Sequence, residues 1–480
     1  MEKNKDFLEF LVSHSKRYGF IFPSSEIYGG INAIYDYGEY GVALKNNIKD
    51  FWWKSMTQIH DNIVGIDSSI LMHSDVWSAS GHVQKFNELL IDNKDSKKRY
   101  RPDLLIKNHV EKFFYKNEKK RKEILSRLYD CLSNNNLLGI KDLIHELNIH
   151  DPISHTNHWT DIKYFNMMFK IEDHRKKNLF LRPETAQGIF INFQNVIKSN
   201  RMKIPFGIAQ IGKSFRNEIV ARQFLFRLRE FEQMEMQFFI LPEEEKFWFK
   251  YWKNMRMKWH LLFNLGDEKY RFIENTHLPH YASLGTDIEF NFPFGFKEIE
   301  SIHSRRDFDL IKHENYSKKN MKVFDKSKKN YFPYVIETSL GLDRCFFTIF
   351  SSSLKKEKIN NGKIRTVLKI PSFLSPIKAA ILPLVKKDGL PEIAKKLFNN
   401  IKFDFKLLYD HTESIGKLYR RQDAIGTPLC FTIDYDTCKN ETVTVRYRDS
   451  MKQYRIHINE IKDVIKKETE LKSILRKIHN

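Results

Sequence analysis

The chain has 480 residues, with 81 Lys or Arg against 60 Asp or Glu, a formal net charge of +21 and a pI near 9.5. At 41% hydrophobic and 14% aromatic it can close a real core, which excludes a disordered chain; at roughly 150 residues per domain its length suggests about three structural units. No apolar run reaches the roughly 18 residues of a spanning helix, and MEKNKDFLEF has no signal-peptide core. Cys131, Cys345, Cys430 and Cys438 form neither a disulfide framework nor a zinc knuckle, and His150, His155 and His158 lack a thiol or a helical ligand pair. A cytoplasmic protein with no membrane partner and no structural zinc is expected. The charge fits a polyanionic partner through counterion release, although a lysine-rich codon bias produces the same total.

Residues 1 to about 90 alternate helical patterns with a Gly/Tyr-rich segment. From Leu44 the apolar positions Leu44, Ile48, Phe51 and Trp52 form the stripe of an amphipathic helix. Residues 94–150 are basic and helix-prone and read as an inserted surface element. Between 161 and 350 the pattern is strand-like (FGIAQIGKSFRNE, REFEQMEMQFF, TDIEFNF, YFPYVIETS), with one helical stretch at 243–262, and KHENYSKKNMKVFDKSKKN at 312–330 reads as an exposed loop. After Pro371 strands and helices alternate: a strand in KAAILPLV, a helix to about Asn399, the strand FKLLYD, a helix around KLYRRQDA, the strands PLCFTIDY and ETVTVRYRD, and a final charged helix. That is a separate α/β domain of ordinary size.

Chemistry concentrates in the strand-rich region. On a strand, Arg216 and Glu218 of FRNE face the same way, as do Arg229, Phe231, Gln233, Glu235 and Gln237 of the returning segment. Paired as a hairpin, they gather arginines, carboxylates, amides and an aromatic ring on one face, with further arginines (Arg222, Arg227) in the loop. Such a face suits a nucleotide: a cation for phosphate, a plate for a base, acceptors for amines. A solvated amphipathic hairpin is the plainer alternative. Glu337 and Ser339 share a face of YVIETS, and Arg344 falls in the first turn of the next helix, where the dipole disfavours a cation unless an anion is near; pairing with Asp343 or Glu337 is the alternative there. In LRPETAQG, Thr185 reads as a helix cap, which leaves Glu184 unexplained.

FRNEI followed by REFEQMEMQFF resembles the second signature motif of class II aminoacyl-tRNA synthetases, and ETSLGLDR resembles the third. YDYGEYGVALKNNIKDFWW is similar to the first motif as the glycyl-tRNA synthetase family carries it, RPETAQGIFINFQNV and YFNMMFK are close to the same family, and IGKLYRRQDAIGTPLCFTIDYDT resembles the anticodon-binding domain shared with the histidine, proline and threonine enzymes. The resemblance runs over nearly the whole chain. It implies an α+β fold, with a class II catalytic domain at 1–368 (an antiparallel sheet flanked by helices), a basic helical insertion at about 92–158, and an α/β anticodon-binding domain at 369–480. It implies activation of glycine with ATP and Mg2+, transfer of glycyl to tRNA(Gly), and a homodimer for which the Leu44–Trp53 helix offers its apolar face. Carried over by position, Arg216 holds the α-phosphate, Glu218 the adenine amino group, Phe231 stacks on adenine, Arg344 reaches the γ-phosphate, and Glu298 holds ATP and its metal. Glu184, Glu235, Glu337 and Ser339 form the glycine pocket with Arg305 near the substrate carboxylate, and Arg420 and Arg421 face tRNA, as does the 94–123 segment.

Three positions depart from the family pattern: Glu39 and Thr338 stand where proline is usual, and Ala424 where an acidic residue is usual. Two other readings remain open: a non-catalytic RNA-binding relative, and a class II enzyme of another specificity. The complete set of ATP residues weighs against the first, and three pocket glutamates against the second.

Overall fold

The computed structural model of the chain describes residues 2–479 except 173–177, 219–222, 276, 277, 279, 280, 326–328, 360 and 361, so Arg222 lies outside the described residues. At its centre is a seven-stranded sheet: β1 (Ile63–Gly65), β2 (Phe206–Phe215), β3 (Glu230–Ile240), β4 (Tyr270–Glu274), β5 (Leu284–Phe292), β6 (Gly295–Arg306) and β7 (Tyr334–Gly341), in the order β4-β5-β6-β7-β3-β2-β1. All neighbours are antiparallel except the edge pair β1 and β2.

The alternation of EFEQMEMQFFI sorts β3 into two faces. Met234, Met236, Phe238 and Ile240 are buried in the main core, against the helices Glu39–Thr57, Glu245–Leu261 and Leu342–Ser353. There Phe51 stacks on Trp259 at 5.0 Å and Phe238 meets Trp252 edge-on at 5.2 Å. The opposite face is closed at one end by helix Ala186–Asn200, where Phe190, Phe193, Phe206 and Phe239 form a second cluster. Its middle is left open.

The Glu39–Thr57 helix forms where the stripe predicts, but its partner is not another subunit. Leu44, Ile48, Phe51 and Trp52 are each 0% exposed within a single chain, so this face has no free surface to offer a dimer. Glu39 is the first residue of that helix after the Gly38 cap, a position that welcomes both proline and an acidic side chain. Thr338 lies fully buried in central β7, opposite Met236 and Ile302; it keeps the backbone N–H that proline lacks.

Residues around the insertion form a small unit of their own. Strands Asn87–Asp92 and Lys163–Asn166 pair, and helices Pro102–Phe113, Glu118–Ser133 and Leu137–Glu146 enclose Ile106, Val110, Leu128 and Ile140. The 312–330 run is not the single exposed loop its composition suggests: helix Phe308–Ser317 covers its start, with Leu310 and His313 buried, and Val323–Asp325 pairs with Lys329–Tyr331.

The C-terminal domain has strands β8 (Ala379–Pro383), β9 (Leu407–Tyr409), β10 (Leu429–Ile433), β11 (Thr442–Tyr447) and β12 (Gln453–His457), ordered β9-β8-β10-β11-β12. Strand β12, rich in exposed polar side chains, is not legible from apolar pattern. The closing helix is divided into Ile461–Thr469 and Leu471–His479. The second part leaves its own domain: Leu475 and Ile478 join the main core, and Lys258 Nζ donates to the Ile478 carbonyl at 3.1 Å. At the other end of the chain, His14 Nε2 donates to the Ala424 carbonyl at 2.9 Å; burial lowers the His14 pKa to about 4. Ala424 thus meets the rest of the chain through its backbone, and its neighbour Asp423 supplies the carboxylate, paired with Arg365 and Arg446.

Candidate active site

Cross-strand partners point to the same side of a sheet, and the register builds the site from that rule. Glu235 lies opposite Gln210 on β2 and Ser339 on β7, Gln233 opposite Gly341, and Gln237 opposite Glu337. One strand further out, Ser301 faces Ser339 and His303 faces Glu337. Of these, Gln233, Glu235, Ser301, His303, Glu337 and Ser339 floor a cavity of about 220 Å³ walled by Glu184, Arg216, Glu218, Phe231, Glu298, Arg305 and Arg344. All ten residues that the resemblance assigns to ATP or glycine line this one cavity. Arg420 and Arg421 do not: they are exposed on helix Ile415–Ile425 of the C-terminal domain, with Arg421 close to the Tyr40 hydroxyl.

Two local expectations fail. Strand β2 ends at Phe215, so Arg216 and Glu218 sit in the segment after it and owe their positions to contacts rather than to strand period. Arg216 Nε donates to the Pro183 carbonyl at 3.1 Å, and its guanidinium lies 5.2 Å from the Phe231 ring centre. Thr185 occupies the cap position of helix Ala186–Asn200 without capping it through its side chain; its hydroxyl donates to Glu235 instead.

At the inner end three carboxylates converge. Glu337 accepts from Arg305 Nη1 at 2.9 Å and from Gln237 Nε2 at 2.8 Å. Burial would raise its pKa, but Arg305 and His303 prevail and hold it at about 2. Glu184 lies 3.4 Å from His82 and accepts from Gln187 at 3.0 Å; burial again opposes ionisation, and His82 and Arg305 outweigh it, so its pKa is low. Glu235 forms no ion pair among the described residues. Burial, then the charges of Glu337 and Glu184, push its carboxyl well above the usual range. Arg305 is tied up as well, bidentate on Asp309 at 2.7 and 3.0 Å and 4.0 Å from the Tyr281 ring centre.

At the outer end Arg344 Nη1 donates to Glu298 Oε1 at 3.1 Å and Nε to the Phe226 carbonyl at 3.1 Å, so its partner is neither Asp343 nor Glu337. Asp343 instead turns inward, accepting from the Glu232 backbone and ion-pairing with Lys45. Glu218 Oε2 is buried without a hydrogen bond, with Arg227 Nε 3.3 Å away, and burial raises its pKa. A buried acceptor without a hydrogen bond, in a cavity also lined by the half-buried ring of Phe231, fits a base carrying an amino group. No group of three or more His, Cys, Asp or Glu side chains stands ready for a metal among the described residues. Yet the donors at the cavity mouth are hard oxygens: Glu298, Ser301 and, beside Glu298, Asp287, whose Oδ1 is buried without a partner. They suit a Mg2+ that arrives with phosphates and keeps most of its ligands from them.

His82, Gln233, Tyr281, Ser301, His303 and Asp309 take part without having been singled out as site residues. Ser301, His303 and Arg305 at spacing two in SIHSRRD carry a readable signal; His82 and Tyr281 arrive from distant elements and carry none. Close packing supports the floor from below: a Cβ on Gly212 would stand 2.1 Å from Arg182 Nη2, and Arg182 is buried with bonds to the Lys213 and Ser68 carbonyls at 2.7 Å each.

An antiparallel sheet whose polar face presents one arginine after β2, one at the start of the helix after β7 and a carboxylate-lined inner end defines a class II aminoacyl-tRNA synthetase. Residues 169–353 match the family "tRNA synthetase class II core domain (G, H, P, S and T)", residues 88–122 and 110–167 the "Glycyl-tRNA synthetase insertion domain 1", and residues 378–468 the "Anticodon binding domain". A glycine–tRNA ligase of Chlorobaculum tepidum is 47% identical over 460 residues, covering 94% of this chain and 97% of that protein. One of Treponema denticola is 45% identical over 488 residues, covering 99% and 100%. The fold is similar to a prolyl-tRNA synthetase of Cryptosporidium parvum, with a TM-score of 0.62 at 14% identity, over 98% of this chain and 79% of that one. The chain belongs to the glycine–tRNA ligase family: it joins glycine to tRNA at the expense of ATP.

Proposed function

We propose that the cavity runs the two steps of glycine–tRNA ligation with the following division of labour. Arg216 holds the α-phosphate, Phe231 stacks on adenine, Glu218 accepts its amino group, and Arg344 and Glu298 meet the distal phosphates, where Mg2+ bound with ATP would neutralise charge. The glycine carboxylate attacks the α-phosphorus in line, so no general base is needed and rate comes from positioning and charge stabilisation. Glu184, Glu235 and Glu337 with Ser339 receive the ammonium, while Arg305, already bridging Asp309 and Glu337, orients Glu337 and adds positive field near the substrate carboxylate. An extra methyl changes binding by only about 1–3 kcal/mol in a yielding pocket, so alanine is excluded by clash with these tightly bonded carboxylates. The carrying observation is the convergence of all ten proposed side chains on one cavity.

For function the chain divides at 368/369, as sequence suggests. Transfer to the terminal ribose of tRNA(Gly) uses the C-terminal domain for the anticodon arm, with Arg420 the freer of its two arginines. In the insertion, Arg99 and Arg101 are engaged by Asp92, Glu88 and Asp103, and Lys122 by Glu118; Lys119 and Lys120 remain exposed for the acceptor arm. The enzyme works in the cytoplasm as a homodimer, and its interface includes the exposed apolar side chains Ile27 (88%), Tyr28 (87%) and Ile31 (46%) of one short segment. Ile27→Asp/Tyr28→Asp is expected to halve the mass measured by sedimentation; an unchanged mass removes this surface from the interface.

Pyrophosphate exchange into ATP without tRNA tests the whole scheme. Exchange is expected with glycine and not with alanine or serine. A folded sample that exchanges with no amino acid overturns this division of labour.

A further inference from the structure

Strand β2 has ended before Arg216. The Arg216 N–H still bonds to the Arg229 carbonyl at 2.9 Å, but the backbone does not decide where the end of so long a side chain lies. Three groups hold it: the Pro183 carbonyl, which accepts from Nε at 3.1 Å, the Phe231 ring centre at 5.2 Å, and the Phe86 ring centre at 5.5 Å. Both rings are within cation–π range of the guanidinium. Its Nη groups make no hydrogen bond among the described residues, which leaves them to a ligand.

Phe86 comes from outside the sheet. It follows the short helix His82–Lys85 and precedes the strand Asn87–Asp92 that leads into the insertion. The chain returning from the insertion closes on the same segment. There the Asn217 N–H donates to the Met167 carbonyl at 2.8 Å, and Phe169 lies 5.2 Å from the Arg229 guanidinium, whose Nη2 donates to Asn217 Oδ1 at 2.8 Å. Both ends of the insertion therefore brace the turn that carries Arg216. Phe86 itself is half-buried and packs on Met72, Trp77 and Met168. Packing on that cluster asks only for an apolar side chain of the right size, which leucine or methionine would meet. A flat ring with a negative face is the further requirement that a guanidinium imposes.

We propose that Phe86, at the root of the insertion, is a positioning residue for ATP: its ring, with that of Phe231, holds the Arg216 guanidinium where the α-phosphate arrives. The inference rests on the reading of Arg216 as the group that meets the α-phosphate. It gives the insertion a part in adenylate formation, before any tRNA is bound.

The test is glycine-dependent pyrophosphate exchange by the full chain without tRNA, followed with labelled pyrophosphate so that slow variants remain measurable. The variants are Phe86→Leu, Phe86→Tyr, Arg216→Met and the double change Phe86→Leu/Arg216→Met, with Phe86→Met in place of Phe86→Leu if the latter fails to fold. Phe86→Leu is expected to lower kcat/KM for ATP by about 3- to 30-fold, the range of a cation–π contact from exposed to desolvated sites. Phe86→Tyr, which keeps the ring face, should stay within about twofold of wild type, and the glycine KM within about twofold in both. In the Arg216→Met background Phe86→Leu should cost less than about twofold, because its partner is gone. A wild-type value for folded Phe86→Leu overturns the inference in favour of packing, and so does an equal loss in Phe86→Tyr or a loss that persists without Arg216. Equal rises in the ATP and glycine KM also overturn it. His82 of the same turn lies 5.5 Å from the Phe86 ring and 3.4 Å from Glu184, so a merely loosened turn disturbs both sites. If Arg216→Met leaves kcat/KM for ATP unchanged, the reading of Arg216 fails and the inference with it. A loss there without one in Phe86→Leu sinks the inference alone.

Discussion

Arg344→Ala is expected to lower glycine-dependent pyrophosphate exchange by about 10³-fold or more, the scale on which arginines serve phosphoryl transition states, while tRNA affinity stays within about twofold. The first turn of the Leu342–Ser353 helix is a poor place for an unsupported cation, and the side chain is held there by Glu298 and the Phe226 carbonyl rather than by neighbours on its own helix. Removing it also frees Glu298, so the loss should exceed that of a simple phosphate contact. Filter-binding titration of tRNA beside the exchange assay separates the two functions. An equal loss of tRNA affinity would remove Arg344 from the ATP site.

Glu235→Gln is expected to raise the glycine KM by about 10- to 100-fold, the value of one hydrogen bond to a charged group, with ATP binding and thermal stability close to wild type. The reason for spared stability is specific to this carboxyl. Burial and the charges of Glu337 and Glu184 keep it protonated well above the usual range in the free protein, so a neutral amide replaces a neutral acid. Glycine's ammonium prefers the ionised form, and at a pH below the raised pKa binding must release the Glu235 proton. Glycine affinity should therefore improve as pH rises toward that pKa in the wild type and lose this dependence in the variant. An unchanged glycine KM would take Glu235 out of the pocket.

Much of the site follows from period two alone. Gln233, Glu235, Glu337 and Ser339 share a face because β3 and β7 are regular through those positions, and alternation in EFEQMEMQFF already separates them from Met234 and Met236. Arg216 and Glu218 were placed by the same rule where it does not apply, since the strand stops one residue earlier. Glu298 is the sharper case: its side depends on a bulge at Ile299, and an isoleucine between two glutamates carries no mark of one. The apolar stripe of the Glu39–Thr57 helix was legible as a packing face, but periodicity cannot distinguish a partner within the chain from one outside it. The helix end and hairpin in 312–330 escaped because lysine-rich composition masks the few buried positions, such as His313 and Met321, that anchor them.

The return of the Leu471–His479 helix to the main core, through Leu475, Ile478 and the Lys258 bond, adds to the chain that enters after Leu368, the His14–Ala424 bond and the Arg365–Asp423 pair, so the C-terminal domain is tied to the catalytic domain at several separate points. A body hung from one strap swivels freely; one pinned at several separate points does not. The distance between the helix that carries Arg420 and the cavity is then set by packing, and a tRNA that spans the two has to match it.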